Sequence, residues 1–386
     1  MLVAGEASGD ALGASLMVAL TQLSPDPIRF SGVGGELMAA AGLNSAFPMR
    51  ELAVMGIAEV LPRLPSLLRR IDQTVDLAIS GRPDALVTID APSFSLRVSR
   101  RLSGQGIPRV HYVAPQLWAW RPGRAKRLAE RTDVLLALLP FEPEFFRGFG
   151  VDCRFVGHPA VERVSAVDVG RLEARQLFGL DAEQPVLALL PGSRHGEIKR
   201  LLPVYRSVCE RLRAQRGDLA FVLPTVSNVA AEIRQAIAGW SIPVAVVEGL
   251  ENRISAFRAA DAALAASGTV TVELALAGTP MVVCYRANPL TAALVRRLLK
   301  VSYVAMPNIL VNGPVVPEFI QENCRPDAVA EATGRLLDDS AERSRQREAL
   351  ARIAGDLGAG GEAPSLRAAR AVLEVLQHRG VQTHGS

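Results

Sequence analysis

Residues 262–286, AALAASGTVTVELALAGTPMVVCYR, are the stretch that most constrains the fold. The pattern predicts a buried strand, a turn of small residues, a short helix with a sharp stop and a second strand. Such a turn presents backbone N–H groups at the carboxyl end of a parallel strand. The amides of Ser267, Gly268 and Thr269 are therefore candidates to hold a diphosphate, with Glu273 accepting from ribose hydroxyls. The alternative is that these residues only cap a buried helix and complement its dipole.

Length and composition fit two α/β domains and exclude several classes of protein. The chain has 386 residues, of which 49% are hydrophobic, yet Gly and Pro interrupt every apolar stretch before membrane-spanning length. No secretory signal is visible, and four cysteines scattered without metal-ligand spacing predict reduced thiols in the cytoplasm. The net charge of +4 favours an anionic partner, either a phosphorylated substrate or an acidic membrane surface, whereas 5% aromatic residues argue against nucleic acid.

The chain opens with a short apolar strand followed by GEASGD and a helical pattern from residue 11 to 23. The glycines there lack the G-x-G-x-x-G spacing of a nicotinamide dinucleotide site. Ser8 and Asp10 are predicted either to cap this helix or to contact an acceptor substrate. Glu6 follows the strand directly, at the edge where open α/β sheets place their ligands, and is therefore a candidate catalytic residue.

A second candidate carboxylate follows the apolar run at residues 85–89, which predicts a parallel strand buried on both faces. Asp90 then lies at the carboxyl edge of the sheet, and Pro92 predicts a loop rather than an immediate helix. An aspartate there can act as general base for a sugar hydroxyl. The next predicted strand contains His111, a position more typical of a hydrogen-bonded core residue than of a ligand.

Further polar and aromatic residues follow that strand. Gln116, Trp118 and Arg121 lie in an unusual loop with two tryptophans and are candidates for contact with an acceptor sugar or a lipid.

The segment from residue 51 to 71 is amphipathic and carries arginines among its apolar residues. Pro62 and Pro65 predict that no single long helix runs through it. By itself the segment favours an ordinary helix pair that covers the sheet, although an apolar surface flanked by arginines also suits anionic lipid or acyl chains. Met55 is the candidate lipid contact in this segment.

A second predicted anion site follows the apolar strand at residues 186–190. Gly192, Ser193 and Arg194 form a strand-to-helix turn that contains a guanidinium but lacks the Walker pattern, so it can hold a diphosphate without being an ATPase site. Asn308 lies further along the chain as a candidate nucleotide-sugar contact. The sequence contains no Asp-x-Asp motif, so the usual metal-bridged diphosphate lacks its ligands and no metal or other cofactor is expected.

Taken together, the motifs of the chain resemble the lipid A disaccharide synthase family of glycosyltransferases. The segments that carry the resemblance are AGEASGD at 4–10, MGIAEV at 55–60, IDAPSF at 89–94, HYVAPQLWAWR at 111–121, LPFEPEFF at 139–146, FVGHP at 155–159, LLPGSR at 189–194, ASGTVTVE at 266–273, PMVVCYR at 280–286 and PNIL at 307–310. They cover nearly the whole chain.

The resemblance implies a GT-B architecture, with two Rossmann-like domains facing each other across a cleft and a C-terminal helix that returns to the first domain. The expected domains are residues 1–160 for the acceptor and membrane docking, 170–362 for the UDP-sugar donor, and a helix and tail at 363–386. It further implies transfer of 2,3-diacylglucosamine from its UDP derivative to 2,3-diacylglucosamine 1-phosphate. Residues 55–71 become an acyl-chain and membrane-docking surface, and the enzyme is expected to be peripheral on the cytoplasmic face of the inner membrane. A homodimer is left open.

Two other functions remain open from the sequence. A UDP-sugar epimerase on the same scaffold accounts for the UDP residues but not for the membrane-like segment. A non-catalytic UDP-sugar or membrane-binding protein is the second alternative, and the reaction product distinguishes the three.

Overall fold

The computed structural model describes residues 1–52, 57–288 and 300–383, with backbone alone for 57–63 and 378–383. These residues form two compact units. The first comprises Met1–Pro159 together with the C-terminal segment from Gly361, and the second comprises Ala160–Gly360.

The first unit is a parallel sheet with helices on both faces. In chain order its elements are β1 (Leu2–Ala4), α1 (Ala7–Leu23), β2 (Ser31–Val33), α2 (Glu36–Ala40), β3 (Asn44–Ser45), α3 (Ile57–Gly81), β4 (Leu86–Ile89), α4 (Pro92–Arg101), β5 (Arg109–Tyr112), α5 (Leu117–Trp120), β6 (Val134–Ala137), α6 (Glu142–Arg147) and β7 (Cys153–Phe155). Among the described residues the strand order is β3-β2-β1-β4-β5-β6-β7. The order reverses between β1 and β4, which is where open α/β sheets bind ligands.

The second unit repeats this plan. Its elements are α7 (Ala160–Ser165), α8 (Arg171–Leu177), β8 (Val186–Leu190), α9 (His195–Gln215), β9 (Ala220–Thr225), α10 (Ser227–Ile237), β10 (Ala245–Glu248), α11 (Leu250–Ala259), β11 (Ala262–Ala266), α12 (Val270–Leu276), β12 (Met281–Tyr285), α13 (Met306–Val311), β13 (Glu318–Ile320), α14 (Pro326–Asp338) and α15 (Ser340–Asp356). In the described part of this unit the order is β10-β9-β8-β11-β12-β13. The switch point lies between β8 and β11, and the predicted α/β class with two Rossmann-like units is confirmed.

The last helix, α16 (Pro364–Thr383), packs against α1 of the first unit, as predicted for a returning C-terminal helix. Its buried alanines and Val372 join the same apolar core as Leu16 and Leu20 of α1. Arg154 at β7 adds an ion pair of 3.0 Å to Glu374. Residues more than 200 positions apart in the chain therefore complete one core.

Two local predictions from proline are wrong. One helix, α3, runs continuously through Pro62 and Pro65. Both prolines lie near its start, and the helix continues because its later turns bury Ile71 and Val75 against the sheet. Pro92 does not delay α4 but begins it, since proline is well suited to the first helical position, where its missing N–H has no partner anyway.

The four cysteines are all free thiols in buried positions. In the regions that the structure describes, none of the helices has the length and apolar character needed to cross a membrane.

Candidate active site

Asp90 and Ser8 meet at the switch point of the first sheet. Asp90 follows β4, Ser8 lies in the first turn of α1 after β1, and these two strands are neighbours. The Ser8 hydroxyl donates to Asp90 Oδ2 at 3.1 Å, and the Ala91 N–H donates to Asp90 Oδ1 at 2.8 Å. These bonds orient a half-buried carboxylate that retains capacity to accept a further proton donor.

Backbone strain is concentrated at this edge of the sheet. Asp90 and Ala91 have positive φ angles of 51° and 42°, and Val113, just after the neighbouring strand β5, has a φ of 80°. A β-branched residue in this region is a genuine outlier, and such conformations persist only where the surrounding structure holds them. The strain therefore marks the carboxyl ends of β4 and β5 as a candidate functional edge.

Glu6 lies beside this pair, in the N-cap position of α1. Its side chain makes no capping bond, and it is half-buried. Gly5 before it approaches the next turn so closely that an added Cβ would lie 2.6 Å from the Cβ of Ala91. The first strand-to-helix turn is thus packed directly against the Asp90 turn.

Asp10 has a structural position that the sequence did not predict. Its side chain does not cap α1; it is 5% exposed and accepts from the N–H groups of Gly35, Leu37 and Met38, at 2.8, 3.0 and 3.0 Å. It therefore caps α2, which begins 26 residues later in the chain. Ser8 likewise makes no cap, because its hydroxyl is bonded to Asp90.

After β5, some of the predicted contact residues are exposed and others are held by contacts with neighbouring side chains. Gln116 is exposed and precedes the four-residue helix α5. Trp118 is half-buried and donates from Nε1 to Glu142 Oε1 at 3.1 Å, while the Arg121 guanidinium lies 4.4 Å from the ring centre of Trp120. Met55, the predicted lipid contact, lies outside the described residues.

His111 is a core residue, as its position in an apolar strand indicated. Its Nδ1 is 2.8 Å from the Thr88 hydroxyl, and its buried Nε2 has no partner among the described residues. Burial lowers the pKa of His111 from 6.5 to about 4, so the ring is neutral near pH 7.

In the second unit the turn after β8 is organised by Glu197. Its carboxylate accepts from the Ser193 N–H at 3.2 Å and from the Arg194 guanidinium at 2.9 Å. Gly192 has a φ of 111°, and a Cβ there would lie 2.4 Å from Glu197 Oε2, so only glycine fits. The Arg194 side chain is 70% exposed and keeps further donors available to an anion.

The turn after β11 lies next to this one, because β8 and β11 pair in parallel. Ser267 donates its hydroxyl to the Val304 carbonyl at 2.9 Å, whereas Gly268 and Thr269 are exposed. Thr269 occupies the N-cap position of α12 without a side-chain capping bond. The Ser267 and Thr269 side chains therefore do not cap α12, which was the alternative to a diphosphate site.

Glu273 is almost fully buried and pairs with two arginines. Its Oε1 accepts from Arg163 at 3.2 Å and from Arg253 at 3.1 Å. Within the described part of the chain, no hydrogen bond reaches Oε2. The two guanidinium groups fix the carboxylate and leave this oxygen as an acceptor.

The Asn308 side chain is buried and hydrogen-bonded to the surrounding protein. Its amide nitrogen donates to the Val316 carbonyl and to Glu318 Oε1, both at 2.8 Å, and its oxygen accepts from the N–H groups of Val315 and Val316. These four bonds occupy both polar atoms of the Asn308 amide, so in this structure neither atom is open to the predicted nucleotide contact. Glu318 also accepts from the N–H groups of Val304 and Ala305, so it ties α13 to the segment that holds Ser267.

Four residues in these contacts were not predicted from the sequence: Glu142, Arg163, Arg253 and Glu318. Glu142 had a detectable signal, since it belongs to the LPFEPEFF segment that follows the strand ending at Ala137. The two arginines had none, because they lie 110 and 20 residues from the carboxylate they contact. No cluster of three or more His, Cys, Asp or Glu side chains suited to a metal ion occurs in the described residues.

A family model and individual relatives of this chain point to the same protein family. The model of the family described as lipid-A-disaccharide synthetase matches residues 1–359. The lipid-A-disaccharide synthase of Rhodospirillum centenum is 48% identical over 98% of this chain and 94% of its own length. That of Paramagnetospirillum magneticum is 46% identical over 100% of this chain and 99% of its own.

Solved structures with a similar fold have low identity. UDP-GlcNAc 2-epimerase from Neisseria meningitidis, bound to UDP-GlcNAc, has a TM-score of 0.63 at 13% identity, covering 98% of this chain and 99% of its own. MurG from Acinetobacter baumannii has a TM-score of 0.59, also at 13% identity, with coverage of 98% and 99%. At these identities the likeness shows the fold alone.

Proposed function

The chain belongs to the lipid-A-disaccharide synthase family, and we propose that it transfers 2,3-diacylglucosamine from UDP-2,3-diacylglucosamine to 2,3-diacylglucosamine 1-phosphate. The products are the β-1,6-linked disaccharide 1-phosphate and UDP. The observation that carries the proposal is the Ser8–Asp90 pair at the switch point of the first sheet, in a chain that matches the family over nearly its whole length. The membership favours transfer over epimerisation or binding without chemistry.

In the proposed reaction Asp90 is the general base. It removes the proton of the acceptor 6-hydroxyl as that oxygen attacks the anomeric carbon of the donor, on the face opposite the UDP group. The bond from the anomeric carbon to the phosphate oxygen then breaks, UDP leaves, and the configuration at that carbon inverts. Support comes from the bonds of Ser8 and Ala91, which hold the carboxylate in one orientation. Glu6 remains the second candidate base, and a contact with the acceptor is its alternative role in the proposal.

In the proposed reaction the second unit binds the UDP-sugar donor. Arg194 and the amides of Gly268 and Thr269 hold the diphosphate, and Glu273 Oε2 accepts from the ribose hydroxyls. The paired turns after β8 and β11 support this assignment, since they lie at the switch point of the second sheet. Stabilising the leaving diphosphate without a metal is part of the proposal, because the chain has no Asp-x-Asp motif.

We also propose that the first unit docks on anionic lipid at the cytoplasmic face of the inner membrane. On α3, Leu64 and Leu68 are 36% and 38% exposed, and the Arg69 side chain is exposed as well. Leu67 instead packs on the core, and Arg70 pairs with Glu51 and lies over the Phe47 ring, so neither is placed for lipid.

A basic surface beside α3 supports the same proposal. Helix α4 packs on α3 and carries the exposed Arg97 and Arg100. Burial lowers the pKa of Arg131, and the charges of Arg100, Arg127 and Arg97 lower it further, which indicates that these guanidinium groups lie close together. Clustered arginines beside exposed leucines provide both the electrostatic and the apolar attraction that peripheral binding needs.

Product analysis tests the reaction. Purified protein is incubated with UDP-2,3-diacylglucosamine and the acceptor 1-phosphate, and the lipids are identified by mass spectrometry. A disaccharide 1-phosphate is expected; an altered monosaccharide would establish epimerisation, and binding without turnover would establish a binding protein.

The same assay tests Asp90. Asp90→Asn keeps the shape but removes the proton acceptor, so turnover should fall by roughly a hundredfold to ten-thousandfold with little change in UDP affinity. Asp26→Asn, on an exposed loop of the same unit, is the matched control and should be unaffected. Near-normal turnover in Asp90→Asn would transfer the base role to Glu6.

A further inference from the structure

The β6–α6 turn contains a buried carboxylate that the reaction described above does not use. Glu142 is 2% exposed, at the first residue of α6. A buried carboxylate is costly unless its oxygens are hydrogen-bonded, and the described residues supply no cation within ion-pair distance of it. Burial raises the pKa of Glu142 to about 7, against the opposing effect of its hydrogen bonds.

The two oxygens of Glu142 have different partners. Oε2 accepts from the N–H groups of Leu138 and Leu139, at 3.2 and 3.0 Å, and so closes the turn after β6. Oε1 accepts from the indole N–H of Trp118, at 3.1 Å, which belongs to the loop after the neighbouring strand β5. One carboxylate therefore joins the carboxyl ends of two adjacent strands.

Trp118 is held at a second point by the same turn. Its ring meets the ring of Phe141 edge to face, with centroids 5.0 Å apart. Helix α5 has only four residues, and so short a helix has no stability of its own. Tertiary contacts must therefore set its orientation, and these two contacts hold Trp118 within it, between Gln116 and Arg121, which flank the helix.

We infer that Glu142 is a positioning residue, which holds Trp118 and thereby sets α5, with Gln116 and Arg121, in place for the acceptor sugar. The inference rests on the proposed function, because it assigns the loop after β5 to the acceptor. The competing explanation is that Glu142 only closes the β6–α6 turn.

Glu142→Gln separates the two explanations. The amide oxygen satisfies the N–H groups of Leu138 and Leu139 and preserves the turn, but the amide NH₂ then faces the indole N–H of Trp118, donor against donor. Of the three hydrogen bonds that Glu142 accepts, the variant therefore breaks only the one from Trp118. Glu144→Gln is the matched control, with the same charge change on an exposed side chain of the same helix.

The kinetic test measures KM for each substrate. Glu142→Gln is expected to raise the acceptor KM about tenfold, the scale of one lost hydrogen bond to a charged group, and to leave the KM of the UDP donor unchanged. Trp118→Phe keeps an aromatic side chain but removes the indole N–H, so it should raise the acceptor KM similarly, and the double variant should be no worse than either single one. Glu144→Gln should match wild type.

A spectroscopic test is independent of turnover. With Trp120 and Trp240 replaced by Phe, the emission reports on Trp118 alone and should shift to longer wavelength in Glu142→Gln. If wild type makes no disaccharide, the proposed function fails while this emission still reports on the contact. Unchanged emission and an unchanged acceptor KM in Glu142→Gln would overturn the inference. If that variant does not fold, an unchanged acceptor KM in Trp118→Phe would overturn it equally.

Discussion

Replacing Asp10 with alanine should destabilise the first unit by about 4 kcal/mol. The Asp10 carboxylate accepts three backbone N–H bonds at the start of α2. The amide of the fully buried Met38 loses its partner without access to water, which costs about 2 kcal/mol. Gly35 is half-buried and Leu37 is exposed, so water partly replaces their bonds and each loss costs about 1 kcal/mol.

Asp10→Asn offers a graded version of the same test. Its single amide oxygen can keep the Oδ1 bonds to Gly35 and Met38, so only the bond from the Leu37 amide is lost and the expected cost is about 1 kcal/mol. The measurements are urea denaturation and hydrogen exchange of the peptide that contains α2. Asp26→Ala, on an exposed loop, is the control.

Two results would contradict this account of Asp10. One is an Asp10→Ala protein with wild-type stability and unchanged protection of the α2 amides. The other is loss of turnover at full stability, which would return Asp10 to the acceptor-contact role that its position in the GEASGD segment first suggested.

Three further outcomes follow from the site, the core and the surface. Glu273→Gln should weaken UDP binding about tenfold by calorimetry, because it loses charge at the proposed ribose acceptor; intact affinity with a lower Tm would leave the side chain a structural role. His111 binds a proton at pH 6.5 when unfolded but only at about pH 4 when folded, so stability should fall by about 3 kcal/mol as the pH drops across this window, and His111→Asn should flatten the denaturation profile; an equal slope in both proteins would refute this. Leu64→Ser with Leu68→Ser should reduce binding to anionic vesicles, whereas Ile79→Ser, at a residue that is 44% exposed near the other end of the same helix, should not; equal binding by all would place docking elsewhere.

The sequence predicted the strands and their carboxyl ends well because both depend on local patterns. A short apolar run followed by a polar residue locates the carboxyl end of a buried strand, and this was enough to select Asp90 and the turns at Gly192 and Ser267. The predictions from proline were wrong for both α3 and α4, because the effect of a proline depends on where the helix begins and on how strongly the rest of the helix packs.

The remaining features of the site depend on contacts between distant parts of the chain. Asp10 caps a helix that follows another strand, and Glu273 is held by Arg163 and Arg253, which no local pattern connects to it. Asn308 was selected by its motif, but its orientation is decided by the backbone around β13. Side-chain partners of this kind are settled by tertiary packing, which a single sequence does not display.

The return of α16 to the first unit has a consequence for biosynthesis. The second unit is one continuous segment, so it can complete its core as soon as residue 360 has left the ribosome. The first unit, although translated earlier, lacks the helix that covers α1 until Ala368, Ala369 and Val372 have been made. A nascent chain therefore carries an unfinished apolar surface throughout synthesis of the second unit, and the amino-terminal half of the protein is the last to close.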